Sequence, residues 1–323
     1  MSLRLPEGLP AVAFLLRKPI LALSGSDTVR SVITTLPPTR AVVDRFVAGE
    51  HTVDVIDAVV RLREQGLQVT LDHLGEYTEE KAQADATVAA YLELIDALVV
   101  ANVAAGTELS VKLSAVGQSL RDGGHDYALA SARTIADAAY AVGARLNLDM
   151  EDHTTVDSTL AILADLRRSH PDVAVAVQAM LFRSEDDLKT LAGPGSRVRL
   201  VKGAYDEPAE VAHKDPAEVD LAYVRGMKIL MAGEGYPMIA SHDPRMVAIA
   251  AQLAEDASRA PDTWEHQMLY GIRADEQHRL AALGRTVRVY VPYGTDWYGY
   301  FTRRLAERPA NLLFFLRAMV SRN

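Results

Sequence analysis

Eight short segments rich in β-branched and apolar residues recur along this chain, and no other feature limits its fold as much. They are QVTLDHL (68–74), ELSVKLSAV (108–116), ARLNLDM (144–150), VAVAVQA (173–179), RVRLVKG (197–203), YPMIAS (236–241), EHQMLYG (265–271) and TVRVYVP (286–292). Longer helical patterns lie between them. Residues 78–106 open with Thr78 and an acidic first turn, as an N-cap would, and stop at Gly106. Residues 126–143 end on Gly143, residues 154–169 stop before Pro171, and residues 215–235 end in glycines. In residues 243–258, Asp243 is the expected N-cap and Pro244 the first helical residue. A last helix starts near Asp296. Short strands alternating with helices are the signature of βαβ units and a parallel sheet. Eight such units predict a (βα)₈ barrel. An open doubly wound sheet is the alternative, but no GxGxxG follows any of the strands.

Residues 1–67 precede the first strand. They hold a proline-rich connector, TLPPTR, and one amphipathic pattern, DVIDAVVRLREQG, and read as a helical arm packed on a barrel of residues 68–323. A chain of 323 residues is long enough for one barrel with such an arm.

Charge narrows the partners. The 34 lysines and arginines against 43 aspartates and glutamates give a net charge of −9, which argues against a general nucleic-acid binder. Without cysteine the chain has no disulfides, no thiolate nucleophile and no Cys-ligated metal. The histidines form no HxH or HExxH motif, so no metal site is expected. The apolar AVAFLL near the start is bracketed by Glu7, Pro10, Arg17 and Lys18 and lacks a small-residue cleavage site, unlike a secretory signal. No run reaches the roughly 18 apolar residues of a membrane span. A cytoplasmic protein, at most peripheral on the inner face of the membrane, is expected; AVAFLL and the C-terminal LLFFLRAMV are candidates for membrane or subunit contact but are better explained by core packing.

Barrel enzymes place their chemistry at the carboxyl ends of the strands. The polar residues there are Asp72, His73 and Glu76 after the first strand, Lys112 in the second, and Asp149, Glu151 and Asp152 at the third. Gln178, Arg199, Lys202 and Tyr205 belong to the fourth and fifth, Ser241, His242 and Asp243 to the sixth, Glu265, His266 and Gln267 to the seventh, and Tyr290 to the eighth. Each has an ordinary explanation as well: an ion pair for Lys112, helix capping for Asp149 and Glu151, helix entry for His242, turn chemistry for Asp72 and His73. Two lysines at strand ends also admit Schiff-base chemistry, which needs an amine stripped of its proton. Further along, Arg303 and Arg304 stand at helical spacing from Glu307, either as a solvated salt-bridged face or as an anion clamp.

RLVKGAYDEP (199–208), SVKLSAV (110–116), NLDMED (147–152), VAVQA (175–179), ASHD (240–243), YVPYGTDWYGY (290–300) and RRLAERPANLLF (303–314) together resemble the proline dehydrogenase family. The resemblance runs from the first strand to the C-terminus. It implies a flavoenzyme on a distorted (βα)₈ barrel with its last helix over the barrel mouth. Such an enzyme oxidises L-proline to Δ1-pyrroline-5-carboxylate by hydride transfer to FAD and passes the electrons to a membrane quinone. By that resemblance Lys112, Arg303 and Arg304 bind the proline carboxylate, Asp149 lies by the amine, and Tyr290 shields the ring. Arg199 lies at the reactive edge of the flavin and Gln178 near its pyrimidine end. Met150, Lys202, Gly203, Ala204, Ser241, His242 and Glu307 line the remainder of the cofactor, and Glu76 pairs with Arg303 as a gate.

The chain departs from the large bifunctional members in two respects. It shows no downstream aldehyde-dehydrogenase segment, so its product is expected to be released or handed to a separate pyrroline-5-carboxylate dehydrogenase. Tyr205 is followed by Asp206-Glu207-Pro208 rather than by an aromatic, so the larger enzymes' lid behaviour does not transfer to this segment.

Overall fold

The structure, a computed structural model, describes residues 43–298 and residue 300. Arg303, Arg304 and Glu307, the first 42 residues, and the last helix beyond Tyr300 lie outside the described residues.

The expected strands form. They are β1 (Gln68–His73), β2 (Glu108–Val111), β3 (Arg145–Leu148), β4 (Ala174–Gln178), β5 (Arg197–Val201), β6 (Tyr236–Ala240), β7 (Glu265–Leu269) and β8 (Val287–Tyr293). All neighbours pair in parallel, and β8 closes on β1 from Gln68↔Arg288 to His73↔Tyr293. The second strand is shorter than its sequence suggests. It ends at Val111, and residues Leu113–Val116 wind into a 3₁₀ turn, so Lys112 stands just past the strand rather than inside it.

The helices are α1 (Thr52–Glu64), α2 (Lys81–Val100), α3 (Gly124–Ala141), α4 (Val156–Leu166), α5 (Ser184–Leu191), α6 (Pro216–Ala232), α7 (Pro244–Asp256) and α8 (Ala274–Ala282). Asp243 caps α7 as expected, its carboxylate accepting the Arg245 N–H at 2.9 Å. Thr78 does not cap α2. That role falls to Glu80, while the Thr78 N–H donates to the Ser114 carbonyl at 3.1 Å. The helix also stops at Val100, short of Gly106. The sequence pattern overlooked α5 and α8, because each is two to three turns long and mostly polar, too short for an apolar stripe to repeat.

Helices α2 to α8 connect successive strands. Helix α1 instead precedes β1 and packs against β1, β8 and α2, filling the slot that a helix after β8 would take in a symmetrical barrel. Its buried face is Val55, Ala58, Val59 and Leu62. Ahead of it, Val43, Phe46 and Val47 form a small second core with Leu74, Trp297, Tyr298 and Tyr300.

The large apolar core lies between strands and helices. Leu71, Leu109, Val111, Leu146, Leu148, Val175, Leu200, Ile239, Val289 and Val291, with helix residues such as Leu94, Ile135 and Met227, are buried in it. The alternate positions of the same strands point into the barrel, where branched apolar side chains are usual. Here they include Thr70, Asp72, Glu108, Ser110, Asn147, Arg197, Arg199, Glu265, Gln267 and Arg288, all at most 5% exposed, beside the apolar Ala174, Ala176 and Met238. The interior is ionic, and each charge needs a partner, since an unpaired one would cost several kcal/mol on the order of the desolvation penalty.

Candidate active site

The interior charges occur in two layers. On the floor, Arg288 grips Glu265 with Nε at 2.7 Å and Nη2 at 3.1 Å, and Gln267 Nε2 and the Tyr236 hydroxyl also donate to Glu265. Glu108 accepts from Arg197 at 3.0 Å, from Arg199 at 2.9 Å and from Thr70 at 2.8 Å. Burial alone would raise the Glu108 pKa, but Arg288, Arg197 and Arg199 outweigh it and hold the carboxyl down at about 2.

At the mouth, Asp149 is the centre. Its Oδ1 accepts from Ser110 Oγ at 2.6 Å, Arg199 Nη1 at 2.7 Å and Asn147 Nδ2 at 3.2 Å. Its Oδ2 accepts from the Tyr290 hydroxyl at 2.7 Å and lies 3.4 Å from Lys112 Nζ. Lys112 also donates to Asp72 Oδ1 at 2.6 Å and to the Tyr290 oxygen at 3.3 Å. Arg199 spans both layers: Nε donates to Gln267 at 2.6 Å, Nη1 to Ser110 and Asp149, and Nη2 to Glu108. Its guanidinium carbon stands 5.2 Å from the centre of the Tyr290 ring. Four strands thus bring Lys112, Asp149, Arg199 and Tyr290 into one bonded group, as their positions in the sequence led us to expect.

Burial opposes the charge of Asp149, Lys112, Asp72 and Tyr290. For Asp149 the attraction of Lys112 and Arg199 outweighs burial, and its carboxyl stays below the usual range. For Lys112 the carboxylates of Asp72 and Asp149 outweigh it, so the ammonium holds its proton more tightly than an ordinary lysine. Asp72 is shifted upward, chiefly by burial, against the pull of Lys112. Burial and the Asp149 charge keep the Tyr290 hydroxyl protonated. An ammonium that keeps its proton has no lone pair to attack a carbonyl, which removes the Schiff-base reading for Lys112. Lys202, at the end of β5, is ion-paired to Asp220 and lies 3.6 Å from Asp243.

The other expected residues occupy the rim. Gln178 donates to the Glu151 carbonyl at 2.6 Å, and Met150 is buried next to Asp149. Glu76 is half-buried on the loop after β1. At the end of β6, Ser241 Oγ accepts the Asp243 N–H, and His242 Nε2 accepts the Leu269 N–H at 2.8 Å. Gly203 and Ala204 follow β5. Gly203 has φ +120°, and a Cβ there would lie 2.1 Å from Met180 Sδ, so this step of the KGAY segment admits only glycine. His73 packs edge-on against Tyr91 and Tyr293. His266 lies on the outer face of β7 against Trp264. Sequence reasoning missed Glu108, Ser110, Asn147, Arg197 and Arg288. The available signal was polar residues at every second strand position, as in Glu108-Ser110-Lys112 and Arg197-Arg199.

A closed parallel barrel with a desolvated, charge-paired cluster at its strand ends defines a barrel enzyme whose chemistry lies at the carboxyl face. Residues 55–317 match the family described as Proline dehydrogenase. The chain is 40% identical over 281 residues to a proline dehydrogenase of Deinococcus radiodurans, covering 86% of this chain and 89% of the relative. It is 36% identical over 284 residues to proline dehydrogenase 1 of Bacillus subtilis, covering 88% and 92%. The chain belongs to the proline dehydrogenase family. Proline utilization A from Bdellovibrio bacteriovorus, solved after inactivation by N-propargylglycine, shares the fold with a TM-score of 0.78 at 23% identity. That alignment takes in 96% of this chain and 38% of the larger protein.

Proposed function

We propose that this protein oxidises L-proline to Δ1-pyrroline-5-carboxylate, with FAD as cofactor and a membrane quinone as the final electron acceptor, in the first step of proline catabolism. The observation that carries the reading is the mouth cluster, in which an ammonium, a guanidinium and a phenol converge on one ionised carboxylate, in a chain of this family. The donor set suits FAD. Arg199 and Gln178, held on neighbouring strands, match the electron-rich edge and the carbonyl edge of a flat heterocycle. Lys202, Ser241, His242 and the backbone at Gly203, which bears no side chain, with the small Ala204, suit a ribityl diphosphate. When bound, FAD supplies a two-electron acceptor for the hydride on the ring carbon beside the proline nitrogen.

The chain's own residues do the rest. Lys112 keeps its charge and offers a point cation to the proline carboxylate. Arg303 and Arg304, which lie outside the described residues, supply the planar forks that complete the clamp, with Glu76 pairing Arg303 as a gate and Glu307 as a further cofactor contact. Asp149 stays ionised and orients the amine, whose proton must leave before carbon can give up hydride. Tyr290 covers the ring and fixes Asp149 Oδ2. Arg199 stabilises negative charge arriving at its edge, and its fixed bonds mean that no reorganisation is needed at that moment. The product then passes to a separate pyrroline-5-carboxylate dehydrogenase. No helix among the described residues is long and apolar enough to cross a membrane; a peripheral position on its inner face would bring the protein to the quinone.

An anaerobic absorbance spectrum of the purified protein, before and after L-proline, tests this. A flavin band that bleaches with proline is the expected result. A band that stays coloured overturns proline as the substrate, and a protein that binds no flavin overturns the cofactor.

A further inference from the structure

Ser114 and Glu151 are buried, 0% and 1% exposed, and neither has a part in the chemistry proposed above. Every polar group of Ser114 is engaged. Its N–H donates to Glu151 Oε2 at 3.0 Å and its hydroxyl to Glu151 Oε1 at 2.5 Å. Its Oγ accepts the Tyr77 N–H at 2.9 Å, and its carbonyl accepts the Thr78 N–H at 3.1 Å. The Glu151 carbonyl takes Gln178 Nε2 at 2.6 Å. This chain of bonds joins the carboxyl ends of β1, β2, β3 and β4. It also has a direction. A carboxylate that accepts both Ser114 donors turns the hydroxyl hydrogen toward itself and leaves the oxygen lone pair facing Tyr77. Tyr77 needs that anchor, since it holds φ +53°, a left-handed conformation that costs a non-glycine residue energy. The residue just before it is Glu76.

We infer that Glu151 is a positioning residue, which acts through Ser114 to hold the β1–α2 loop, with Glu76 and Tyr77, closed beside the substrate pocket. The inference rests on the proposed oxidation of proline only for what the loop covers; the latch itself is independent of it. Glu151 accepts on both oxygens only while ionised, since protonation turns one of them into a donor. Burial raises its pKa to about 7, against the Ser114 hydrogen bonds and the Lys112 charge and reinforced by Glu76; Tyr77 is the remaining ionisable group bonded into the unit, and Asp152 bonds the Tyr77 hydroxyl. The latch is therefore set above pH 7 and released as pH falls below it.

The test uses Glu151→Gln and the milder Ser114→Ala, each compared with the unaltered protein. Hydrogen–deuterium exchange of the peptide spanning residues 74–80 is expected to rise at least tenfold in both variants at pH 8. In the unaltered protein, protection of this peptide, corrected for the intrinsic pH dependence of amide exchange, should fall as pH falls through 7, a pH dependence lost in Glu151→Gln. In steady-state kinetics KM for proline is expected to rise about tenfold while kcat changes less than threefold. A role in structure alone would lower the melting temperature and kcat together and leave the pH dependence of exchange in place. Exchange of residues 74–80 that is unchanged in a folded Ser114→Ala overturns the inference. Loss of the KM effect in a protein that never oxidised proline, with the exchange result intact, overturns the substrate and not the latch.

Discussion

The floor and the mouth of the barrel hold the same kind of network and put it to opposite uses. Each layer pairs buried carboxylates with buried cations, Glu108 and Glu265 with Arg197 and Arg288 below, Asp72 and Asp149 with Lys112 and Arg199 above. On the floor the geometry is closed: Arg288 meets Glu265 through two parallel bonds, and the Glu265 side chain is 0% exposed. At the mouth five donors from four strands crowd one carboxylate whose side chain is 12% exposed. A closed fork fixes the barrel, whereas a shared and reachable carboxylate can meet a substrate amine. Arg199 belongs to both layers, so the site is braced by the same charges that hold the floor.

The comparison breaks most visibly at Arg288. Arg288→Met leaves Glu265 buried without its fork, and unfolding free energy should fall by about 3–5 kcal/mol, measured by urea denaturation. A loss under about 1 kcal/mol would mean the floor pair is dispensable. At the mouth the expected result is reversed. Asp149→Ala should lower kcat/KM for proline by about 10²–10³-fold. Stability should change by no more than about 2 kcal/mol, because Lys112 keeps Asp72 and Arg199 keeps Glu108 and Gln267. Equal losses of stability in the two variants would erase the distinction.

Acid sharpens it further. His266, behind the floor on the outer face of β7, is pushed down to about 4, chiefly by burial. Between about pH 6.5 and 4 the unfolded chain takes a proton that the folded protein does not, so stability falls as pH falls through that window. The loss is on the order of 3 kcal/mol, and His266→Phe should flatten the slope of melting temperature against pH there. Glu108 adds a second loss between its ordinary range and about pH 2. The smallest expected effect is that of Tyr290→Phe. It removes the bond to Asp149 and the long one from Lys112 and keeps the ring, and kcat/KM should drop about tenfold, equivalent to roughly 1.4 kcal/mol, with little change in stability.

The fold was largely legible because each strand–helix unit carries its own local pattern. Asp243-Pro244 declared a helix start correctly, since the cap and its N–H donor are neighbours in sequence. Thr78 gave the same local signal and was overridden, since its backbone is held by Ser114 from the next unit. Of the site, Lys112, Asp149, Arg199 and Tyr290 were legible as polar residues at strand ends. Their supports, Glu108 and Ser110, were not, because one strand alone does not reveal that its polar face turns toward a charged interior. The Asp206-Glu207-Pro208 departure also found its meaning only in three dimensions. Glu207 is buried and accepts the His153 N–H at 3.0 Å, tying the loop after β5 to the loop after β3.

The sequence by itself determined the eight strands, most of the helices between them, and the polar residues that stand at the strand ends. These are matters of period and local chemistry, readable one segment at a time. Tertiary structure alone decided who pairs with whom. Tyr290 meets Asp149 across 141 residues of chain, Arg199 meets Glu108 across 91, and α1 closes the ring between β8 and β1. Charges buried so deeply carry no local trace of their partners, because what makes each tolerable is an opposite charge that only barrel closure brings within reach.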